Sequence, residues 1–595
     1  MIRLTPRQIQ DKINFIKDYV QARNAASAST VDANANVTEK NIATLQSELY
    51  KDFNIQINRA LIKERLTNLF DADIAEQYEK DLESHLIYCH DESSLSPYCV
   101  SISMYPFLLN GMEGLGGESQ APKHLESFCG SFGNLAFAIS AQFAGALATP
   151  EFLMFFDYFA RKDYGDNYLE NPETCKWIEQ KFQHVIYVIA QPATARGYQS
   201  IFWNVSLFDK YFFKHLFKDF SFPDGTKPVW ASVERLQRMF MQWLREERKR
   251  ALLTFPVVTL SALTDGATWK DQSCLEWAAD EYAQGSEFFI YTSQTVDSLS
   301  SCCRLRNPLK ENTFSYSMGA GGVMTGSKNV ITINMNRLVQ QGHNLADVID
   351  RVHKYQVCFE DLFQWFFKAN LLTVYQAGFI DLKKQFLTLG INGIVEAAES
   401  LGYEITNNDA YKSWLVDTLR VFKEKNKEAG AKYHLMFNTE VVPAENLGIK
   451  NAKWDKKSGL KVQRDCYNSY FYRVEDASLS LFDKMELHGG EILDNLDGGS
   501  ALHFNNDEKL TPAQYRKVFE SLAVTGSNYF CENCRRTICK TCGYIHPFTS
   551  DHCVKCGSTD IEYAVRIIGY LKRISNFSEA RQAEAGKRYY HRGTL

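Results

Sequence analysis

The chain has no apolar run long enough to cross a bilayer, and its first residues lack the apolar core of a secretory signal peptide. We therefore expect a cytoplasmic protein without a membrane partner. An excess of positive charge is also missing, since the formal net charge is -5 at pH 7. Because non-specific nucleic-acid binding depends on a basic field, we expect no nucleic-acid partner. The glycine-rich stretch 319–326 lacks the lysine and Ser/Thr of a Walker phosphate loop.

What the chain does have is an ordinary soluble composition and many cysteines. Of its 595 residues, 45% are hydrophobic and 23% are charged, and 15 are cysteines. In the absence of a secretion signal, such cysteines are expected to be reduced thiols, metal ligands or catalytic groups rather than a disulfide framework. The sequence therefore predicts an enzyme of a reducing compartment.

Hydrophobic periodicity separates a helical start from a mixed body. Thr5-Pro6 is a typical helix start, and apolar residues follow it at helical spacing. Small polar residues predict a loop over 25–36, and amphipathic patterns predict further helices over 38–86. Beyond them, short apolar runs alternate with helical segments, which favours an α/β architecture. The runs that best fit strands are Val185–Ala190, Phe255–Thr259, Phe288–Tyr291 and Val330–Asn334.

The densest group of cysteines lies near the C-terminus. Cys539, Cys542, Cys553 and Cys556 form two C-x-x-C pairs separated by ten residues. Four thiolates at this spacing are typical of a structural zinc site, which holds a short loop rigid. Thirteen residues later, Gly569 interrupts an apolar and aromatic run, which indicates a close backbone approach or a bulge.

This combination resembles the C-terminal domain of the anaerobic ribonucleoside-triphosphate reductases, which are glycyl radical enzymes. The family signature is a zinc ribbon followed by R-x-x-G-Y, and this chain reads Arg566-Ile-Ile-Gly569-Tyr570. The resemblance implies that Gly569 carries the radical. An α-carbon radical between an amide nitrogen and a carbonyl is delocalised when planar, and glycine has no side chain to oppose that planarity. Oxygen would be expected to cleave the chain at this residue.

The resemblance also implies a fold. The family has a ten-stranded α/β barrel of two five-stranded halves with a finger loop inside, N-terminal helices and a C-terminal zinc-ribbon and glycyl radical domain. On this basis we expect a helical region over 1–85, the catalytic barrel over 86–525 and the radical domain over 526–595. The helical region would hold dimer contacts and an allosteric nucleotide site. Because helices fill it, we expect no complete ATP-cone there.

Three cysteines match positions at which the family does chemistry. The run from His90-Asp91 to Cys99 resembles the beginning of the first barrel strand, which implies that Cys99 helps to reduce the substrate. Cys302 and Cys303 resemble the tip of the finger loop. The arginine that follows favours Cys303 as the hydrogen-atom shuttle, with Cys302 as the alternative. Cysteines on apolar strands are otherwise most often inert packing residues.

Further matches concern the substrate and the electron donor. The resemblance implies substrate contacts for Gln199, beside a strand and turn, for Asn334, at the end of a strand, and for Ser327. Formate-using members have an asparagine at the place of Ser327 and a methionine at the place of Ser301. These departures put formate in doubt, so a thioredoxin- or glutaredoxin-like reductant is at least as consistent with the sequence.

Two features leave alternatives open. Glu445 resembles a candidate acid or base near the ribose, but it is equally consistent with a surface or helix-capping carboxylate. Cys531 and Cys534 form a third C-x-x-C pair beyond the four thiolates that zinc takes. They are either a redox dithiol that relays electrons or spare surface cysteines.

The reaction implied by the resemblance converts ribonucleoside triphosphates to deoxyribonucleoside triphosphates, with ATP and deoxynucleotides as effectors and a homodimer as the assembly. The chain has no C-x-x-x-C-x-x-C motif, so we expect a separate radical-SAM activating enzyme with an iron–sulfur cluster and S-adenosylmethionine. The alternatives are another glycyl radical enzyme of the acyl lyase type and a zinc-ribbon nucleic-acid-binding protein.

Overall fold

Helices and strands alternate along most of the chain in the computed structural model. It describes residues 3–24, 40–117, 119–192, 199–296, 298–301, 305–308, 323–441, 446–566 and 569–592, with the backbone alone at 298–301 and 305–308. The described helices are α1 (Pro6–Gln21), α2 (Ile42–Leu49), α3 (Lys51–Leu69), α4 (Ala72–Glu83), α5 (Tyr105–Asn110), α6 (Leu125–Ser140), α7 (Phe152–Tyr164), α8 (Pro172–Ile189), α9 (Lys210–Leu216), α10 (Trp230–Glu247), α11 (Gln272–Ala283), α12 (Met335–Gln340), α13 (Leu345–Lys368), α14 (Thr373–Gln376), α15 (Ile394–Ser400), α16 (Asp409–Tyr433), α17 (Leu447–Lys457), α18 (Leu481–Leu487), α19 (Gly490–Leu493), α20 (Pro512–Thr525) and α21 (Glu579–Lys587).

The strands fall into a large sheet, a small C-terminal sheet and one hairpin. They are β1 (Ile87–Cys89), β2 (Cys99–Ser101), β3 (Leu147–Ala148), β4 (Trp203–Phe208), β5 (Val257–Leu263), β6 (Phe289–Ser293), β7 (Ser298–Ser301), β8 (Leu305–Pro308), β9 (Thr325–Asn334), β10 (Phe386–Asn392), β11 (Phe437–Val441), β12 (Leu502–Asn505), β13 (Tyr529–Asn533), β14 (Arg536–Cys539), β15 (Ile545–His546), β16 (Ile561–Arg566) and β17 (Leu571–Arg573).

The N-terminal region is helical, as predicted. Thr5 caps α1 by accepting a hydrogen bond from the Gln8 N–H, and Pro6 occupies the first helical position, where its missing N–H costs nothing. Helices α2, α3 and α4 follow within the segment 38–86, so the predicted helices there are confirmed. The predicted loop over 25–36 lies outside the described residues.

The large sheet is built from two parallel halves. Strands β2 to β6 are neighbours in chain order and run parallel. In the second half, β9, β10 and β11 are parallel neighbours, and β12 runs parallel to β13. The halves join where β2 is antiparallel to β9 and where β6 is antiparallel to β13. The short strand β1 adds to β9 beside this set.

Backbone contacts also connect the two ends of the strand order, β11 and β12. Glu440 in β11 forms a parallel bridge with Gly499, three residues before β12 begins. The Gly498 N–H donates to the Thr439 carbonyl at 2.8 Å, and the Val441 N–H donates to the Gly499 carbonyl at 3.3 Å. The sheet therefore closes on itself, and the predicted ten-stranded barrel of two five-stranded halves is confirmed.

A hairpin projects from the first half into the barrel. Strands β7 and β8 pair antiparallel, with Ser301 opposite Leu305. Strand β7 contacts β5 and strand β8 contacts β9, and these two barrel strands are not neighbours in the sheet. A hairpin that contacts both runs through the interior, which is the position predicted for the finger loop.

One predicted strand and one predicted domain boundary differ from the structure. The predicted strand Val185–Ala190 is the end of helix α8, which Asn171 caps and whose buried residues recur at helical spacing. A short apolar run rich in valine and isoleucine does not distinguish a strand from a buried helix face. The predicted barrel boundary at residue 525 was also too early, because β13 at Tyr529–Asn533 belongs to the barrel.

Gly326 allows the two halves to meet. Its φ of +145° is rarely adopted by residues with side chains, and a Cβ there would lie 2.3 Å from the Cys99 carbonyl oxygen. Gly130, within α6, has open space where a Cβ would stand. The two glycines therefore make a matched pair for testing the junction.

We expect Gly326→Ala to lower the melting temperature by several degrees, because relieving the clash separates β9 from β2 at a cost of roughly 2–3 kcal/mol. The control Gly130→Ala is expected to melt at the same temperature or higher, since alanine is favoured over glycine in a helix by about 1 kcal/mol. Thermal unfolding followed by circular dichroism measures both. Equal melting temperatures would contradict the proposed constraint at the junction.

Candidate active site at one end of the barrel

Side chains on each barrel strand alternate between the surrounding helices and the interior. Trp203 points outward, since its ring lies 5.4 Å from that of Phe132 and 5.0 Å from that of Phe152 on the outer helices α6 and α7. Its neighbours Phe202 and Asn204 therefore face the interior. We call the inward-facing side chains of the ten strands the inner wall, and the end where β2 to β6 begin the barrel mouth.

Cys99 is the first residue of β2 and lies at the barrel mouth. Val100 pairs with Leu147, which pairs with Trp203, so Cys99 is level with Phe202, two strand spacings or roughly 10 Å away. The buried Cys99 Sγ accepts a hydrogen bond from the Ala146 N–H at 3.3 Å. The inward direction of Phe202 at this level places the Cys99 thiol on the inner wall, as the predicted role requires.

Ser327 stands opposite Cys99 in the antiparallel pair of β9 and β2. Its hydroxyl is 2.7 Å from Thr388 Oγ1, and the Thr388 hydroxyl donates to Asn438 Oδ1 at 2.7 Å. All three side chains are buried, so a chain of neutral hydrogen bonds crosses β9, β10 and β11. The structure thus brings the predicted Ser327 next to the predicted Cys99.

Gly569 lies against aromatic rings at the same end. A Cβ built on Gly569 would be 3.8 Å from Phe202 and 3.8 Å from Phe289, which is ordinary van der Waals contact. The next ring, Tyr570, is 99% buried and lies 5.4 Å from each of the rings of Phe202 and Phe255. Gly569 and Cys99 therefore lie at the same end of the barrel, the barrel mouth.

A buried arginine holds the Gly569 backbone. Arg566 Nη1 donates to the Gly569 carbonyl at 2.6 Å, and the Arg566 backbone N–H donates to Asn533 Oδ1 at 2.9 Å, at the end of β13. The Arg566 guanidinium also lies over the Phe289 ring at 4.9 Å. This arrangement fixes the loop to both a side chain and a strand of the barrel.

Arg566 belongs to a buried charge cluster centred on Glu287, just before β6. Glu287 is 3.3 Å from Arg566 Nε and accepts from Arg536 Nε at 2.8 Å, and its backbone carbonyl accepts from Arg248 at 3.2 Å. Burial acts to raise the pKa of Glu287, but the arginines, Arg536 foremost, outweigh it and lower the pKa. The carboxylate is therefore ionised and holds barrel and C-terminal sheet together.

The four cysteines predicted to bind zinc form one cluster. Their sulfur atoms all lie within 4.8 Å of one another, with 3.6 Å from Cys539 to Cys556 and 3.7 Å from Cys542 to Cys553. Tetrahedral zinc with Zn–S bonds of about 2.3 Å requires sulfur separations of roughly 3.8 Å, so the cluster fits this ion. The Cys542 N–H donates to Cys539 Sγ and lowers the pKa of Cys539 to about 6, which favours the thiolate.

Other predicted residues are less central or are not described. Cys302, Cys303 and Glu445 lie outside the described residues. Asn334 caps α12 and donates to Asp455 at 3.0 Å. It lies seven residues beyond Ser327 on β9, roughly 23 Å away.

Gln199 is half-buried and lies three residues before Phe202, close to the barrel mouth.

The interpretation of Cys531 and Cys534 as spare surface cysteines is wrong, because both thiols are buried. Cys531 lies on β13 opposite His503 of β12, and burial raises its pKa to about 12. The redox-dithiol interpretation stays a prediction.

Two functional features were missed from the sequence. Arg566 was part of the recognised motif, but its bond to the Gly569 carbonyl was not anticipated. Glu287 gave no signal in the sequence, because its three arginine partners lie 39, 249 and 279 positions away along the chain.

Among the described helices, none is long and apolar enough to span a membrane.

Removing one zinc ligand provides a direct test of the cluster. We expect the purified protein to hold about one zinc ion per chain and Cys553→Ser to lose it, because three thiolates no longer complete the tetrahedral site. The control Cys175→Ser, at a half-buried thiol on α8, is expected to retain zinc. Elemental analysis after gel filtration gives the metal content, and zinc retained by Cys553→Ser would refute the site.

The sequence matches one protein family over most of its length. A family model described as anaerobic ribonucleoside-triphosphate reductase matches residues 47–591. Comparison with curated protein sequences gives no match.

Solved structures with a similar fold include an anaerobic ribonucleotide reductase, with a TM-score of 0.85, 24% identity, and coverage of 99% of this chain and 94% of that one. The Thermotoga maritima anaerobic ribonucleotide reductase with glycerol in the active site has a TM-score of 0.82 and 24% identity, covering 98% and 94%. The same protein in complex with dATP and CTP has a TM-score of 0.81 and 22% identity, covering 99% and 100%.

The structural likeness supports the fold, and the family match covers most of the chain. The acyl lyase and nucleic-acid-binding alternatives are not favoured by these matches. With a closed ten-stranded barrel, a glycine loop at its mouth and a four-cysteine cluster near the C-terminus, the chain belongs to the anaerobic ribonucleoside-triphosphate reductase family.

Proposed function

We propose that this chain reduces ribonucleoside triphosphates to deoxyribonucleoside triphosphates by a radical that is stored at Gly569. The observation that carries the proposal is the position of Gly569, where a Cβ would lie 3.8 Å from Phe202 and from Phe289, at the barrel end where Cys99 begins β2. A backbone radical there faces the interior of the barrel. The hydrogen bond from Arg566 to the Gly569 carbonyl keeps that peptide in place.

The radical passes from Gly569 to a thiol on the finger loop. The Cys303 S–H gives its hydrogen atom to the Gly569 α-carbon, so the glycine is restored and the sulfur becomes a thiyl radical. Cys302 is the alternative, since it is adjacent to Cys303 in the segment of the sequence between β7 and β8. An S–H bond is close in strength to the C–H bonds involved, so the transfer runs in both directions.

The thiyl radical then removes the ribose 3′ hydrogen. The 2′ hydroxyl leaves as water after it receives a proton, with Cys99 as the donor and Glu445 as the base at the 3′ hydroxyl. Two electrons and the replacing protons come from an external reductant, after which the cysteine returns the 3′ hydrogen. Exclusion of water protects such intermediates, and the aromatic contacts around Gly569 serve this purpose. A zinc ion held by the four cysteines would keep the ribbon rigid under the radical loop.

Installation of the radical requires a second protein. A radical-SAM activating enzyme with an iron–sulfur cluster and S-adenosylmethionine is the proposed partner, because removing hydrogen from a glycine α-carbon needs a stronger radical. The segment 1–85 is the proposed location of dimer contacts and of an ATP or deoxynucleotide effector site, consistent with a T. maritima relative solved with dATP in its specificity site. Gln199, Ser327 and Asn334 remain proposed substrate contacts, and a cytoplasmic location remains part of the proposal.

The radical assignment is tested by Gly569→Ala. Because a Cβ there meets its neighbours at 3.8 Å, this variant is expected to fold normally. After anaerobic activation, wild type should give a doublet in electron paramagnetic resonance and reduce nucleotides, whereas Gly569→Ala should do neither. Gly586→Ala, at an uncrowded glycine of α21 in the same C-terminal segment, is the matched control and should keep both. A doublet that persists in Gly569→Ala would refute the assignment.

The electron donor is tested separately. Ser327 offers a small hydroxyl, already bonded to Thr388, where formate-using members carry an amide. We therefore expect multiple turnovers with a thioredoxin system and NADPH, and no more than a background turnover with formate alone. Product is quantified by chromatography, with a reaction lacking both donors as control. Sustained formate-dependent turnover without a thiol donor would exclude the thiol assignment.

A further inference from the structure

Near Cys99, the inner wall carries a buried amide with no hydrogen-bond partner among the described residues. Asn204 on β4 has no exposed surface, and neither its Oδ1 nor its Nδ2 has a partner among the described residues. An unsatisfied buried polar atom costs about 1–3 kcal/mol. Native proteins tolerate few such atoms unless water, an ion or a ligand satisfies them. Asn204 therefore indicates a bound group that the described protein atoms do not supply.

The strand register gives the position of Asn204 relative to Cys99 at the barrel mouth. Asn204 pairs with Ala148, which pairs with Ser101, so Asn204 stands two residues deeper than Cys99 and two strands away. These offsets separate the Asn204 and Cys99 Cα atoms by about 12 Å. Both side chains point into the barrel, so a sugar ring between them can contact each.

Two hydroxyls extend this unsatisfied surface. Ser206, the next inward residue of β4, and Ser261 of β5 are buried, and neither Oγ has a partner in the described part of the chain. Asn204, Ser206 and Ser261 thus form a neutral polar strip on adjacent strands. Such a strip offers both donors and acceptors, which is what a ligand hydroxyl group needs.

The strip does not suit phosphate. Strands β2 to β6 contain no lysine, arginine, aspartate or glutamate, so no cation on them is available to neutralise a triphosphate. Charge-assisted bonds from arginine or lysine are the usual means of phosphate recognition. The chemistry of this wall fits the uncharged part of a nucleotide that carries vicinal hydroxyls.

We propose that Asn204 is a substrate-binding residue whose side-chain amide hydrogen-bonds a ribose hydroxyl, with Ser206 and Ser261 as the adjoining polar surface. The proposal rests on the proposed function, since it takes a ribonucleotide as the occupant of the barrel. It adds a specific recognition element on β4, on the side of the barrel away from Ser327.

Measuring the affinity of the non-activated protein for CTP tests this proposal without requiring the reaction to take place. CTP is titrated into non-activated wild type, Asn204→Ala and Asn451→Ala by isothermal titration calorimetry. Asn451 is a buried asparagine outside the barrel wall, where its Nδ2 donates to Asn392 at 2.8 Å. We expect Asn204→Ala to bind CTP about tenfold more weakly, and Asn451→Ala to bind it as wild type does.

Stability and kinetics supply readouts that a purely structural role would not produce. Because Asn204→Ala removes unsatisfied buried atoms, its melting temperature should equal or exceed that of wild type, whereas Asn451→Ala should melt lower. After activation, Asn204→Ala should show a wild-type glycyl radical signal with kcat/KM lowered about tenfold or more.

Unchanged CTP affinity in Asn204→Ala would overturn the proposal, as would a lowered melting temperature combined with an unchanged KM. Failure of the proposed function looks different: wild type would bind CTP but give no radical and no deoxynucleotide. In that case the calorimetric comparison of the two asparagine variants still decides the role of Asn204.

Discussion

The buried carboxylate of Glu287 is the interaction on which the arrangement of this molecule depends. It meets Arg536 and Arg566 of the C-terminal sheet, while its own backbone carbonyl accepts from Arg248 at the end of α10. Removal of one partner from a buried ion pair typically costs 3–5 kcal/mol, because the remaining charge is left uncompensated. Two guanidinium groups of the C-terminal sheet share this one carboxylate, and a third from the barrel side holds the backbone of the same residue, so the docking of the C-terminal sheet on the barrel is a single coupled event. The position of Gly569 follows from it through Arg566.

The barrel topology explains why distant parts of the sequence meet at one end. The first half presents the amino ends of its strands at the barrel mouth, and the antiparallel junctions turn the second half so that its strands end there. Cys99 at the beginning of β2 and Asn533 at the end of β13 are consequently at the same end. Asn533 accepts from the Arg566 N–H, so the strand that ends the barrel also guides the chain toward Gly569. A single parallel sheet would have separated these groups.

Local patterns predicted what depends on neighbouring residues. The spacing of the two C-x-x-C pairs was sufficient to predict that Cys539, Cys542, Cys553 and Cys556 lie together. The resemblance carried by Arg566-Ile-Ile-Gly569-Tyr570 led to the family and its barrel. The pattern failed at Val185–Ala190, because an apolar run satisfies a helix face and a strand equally well.

Features that arise from long-range contacts were not predictable in this way. Glu287 and Arg566 are 279 positions apart along the chain, and no local sequence pattern predicts their contact. The inward-facing amide of Asn204, which has no partner in the described part of the chain, is likewise identified only once the outward packing of Trp203 fixes the alternation of β4.

The chain that follows Gly569 is attached to the rest of the molecule at several independent points. Leu571–Arg573 pairs with β16, Arg588 donates to the Arg566 carbonyl, and the His591 N–H donates to the Asn505 carbonyl. If oxygen severs the backbone at Gly569, the proposed radical position, the released peptide is still held by these bonds. An enzyme damaged in air would then keep its native mass and shape in solution, and the break would become visible only after denaturation.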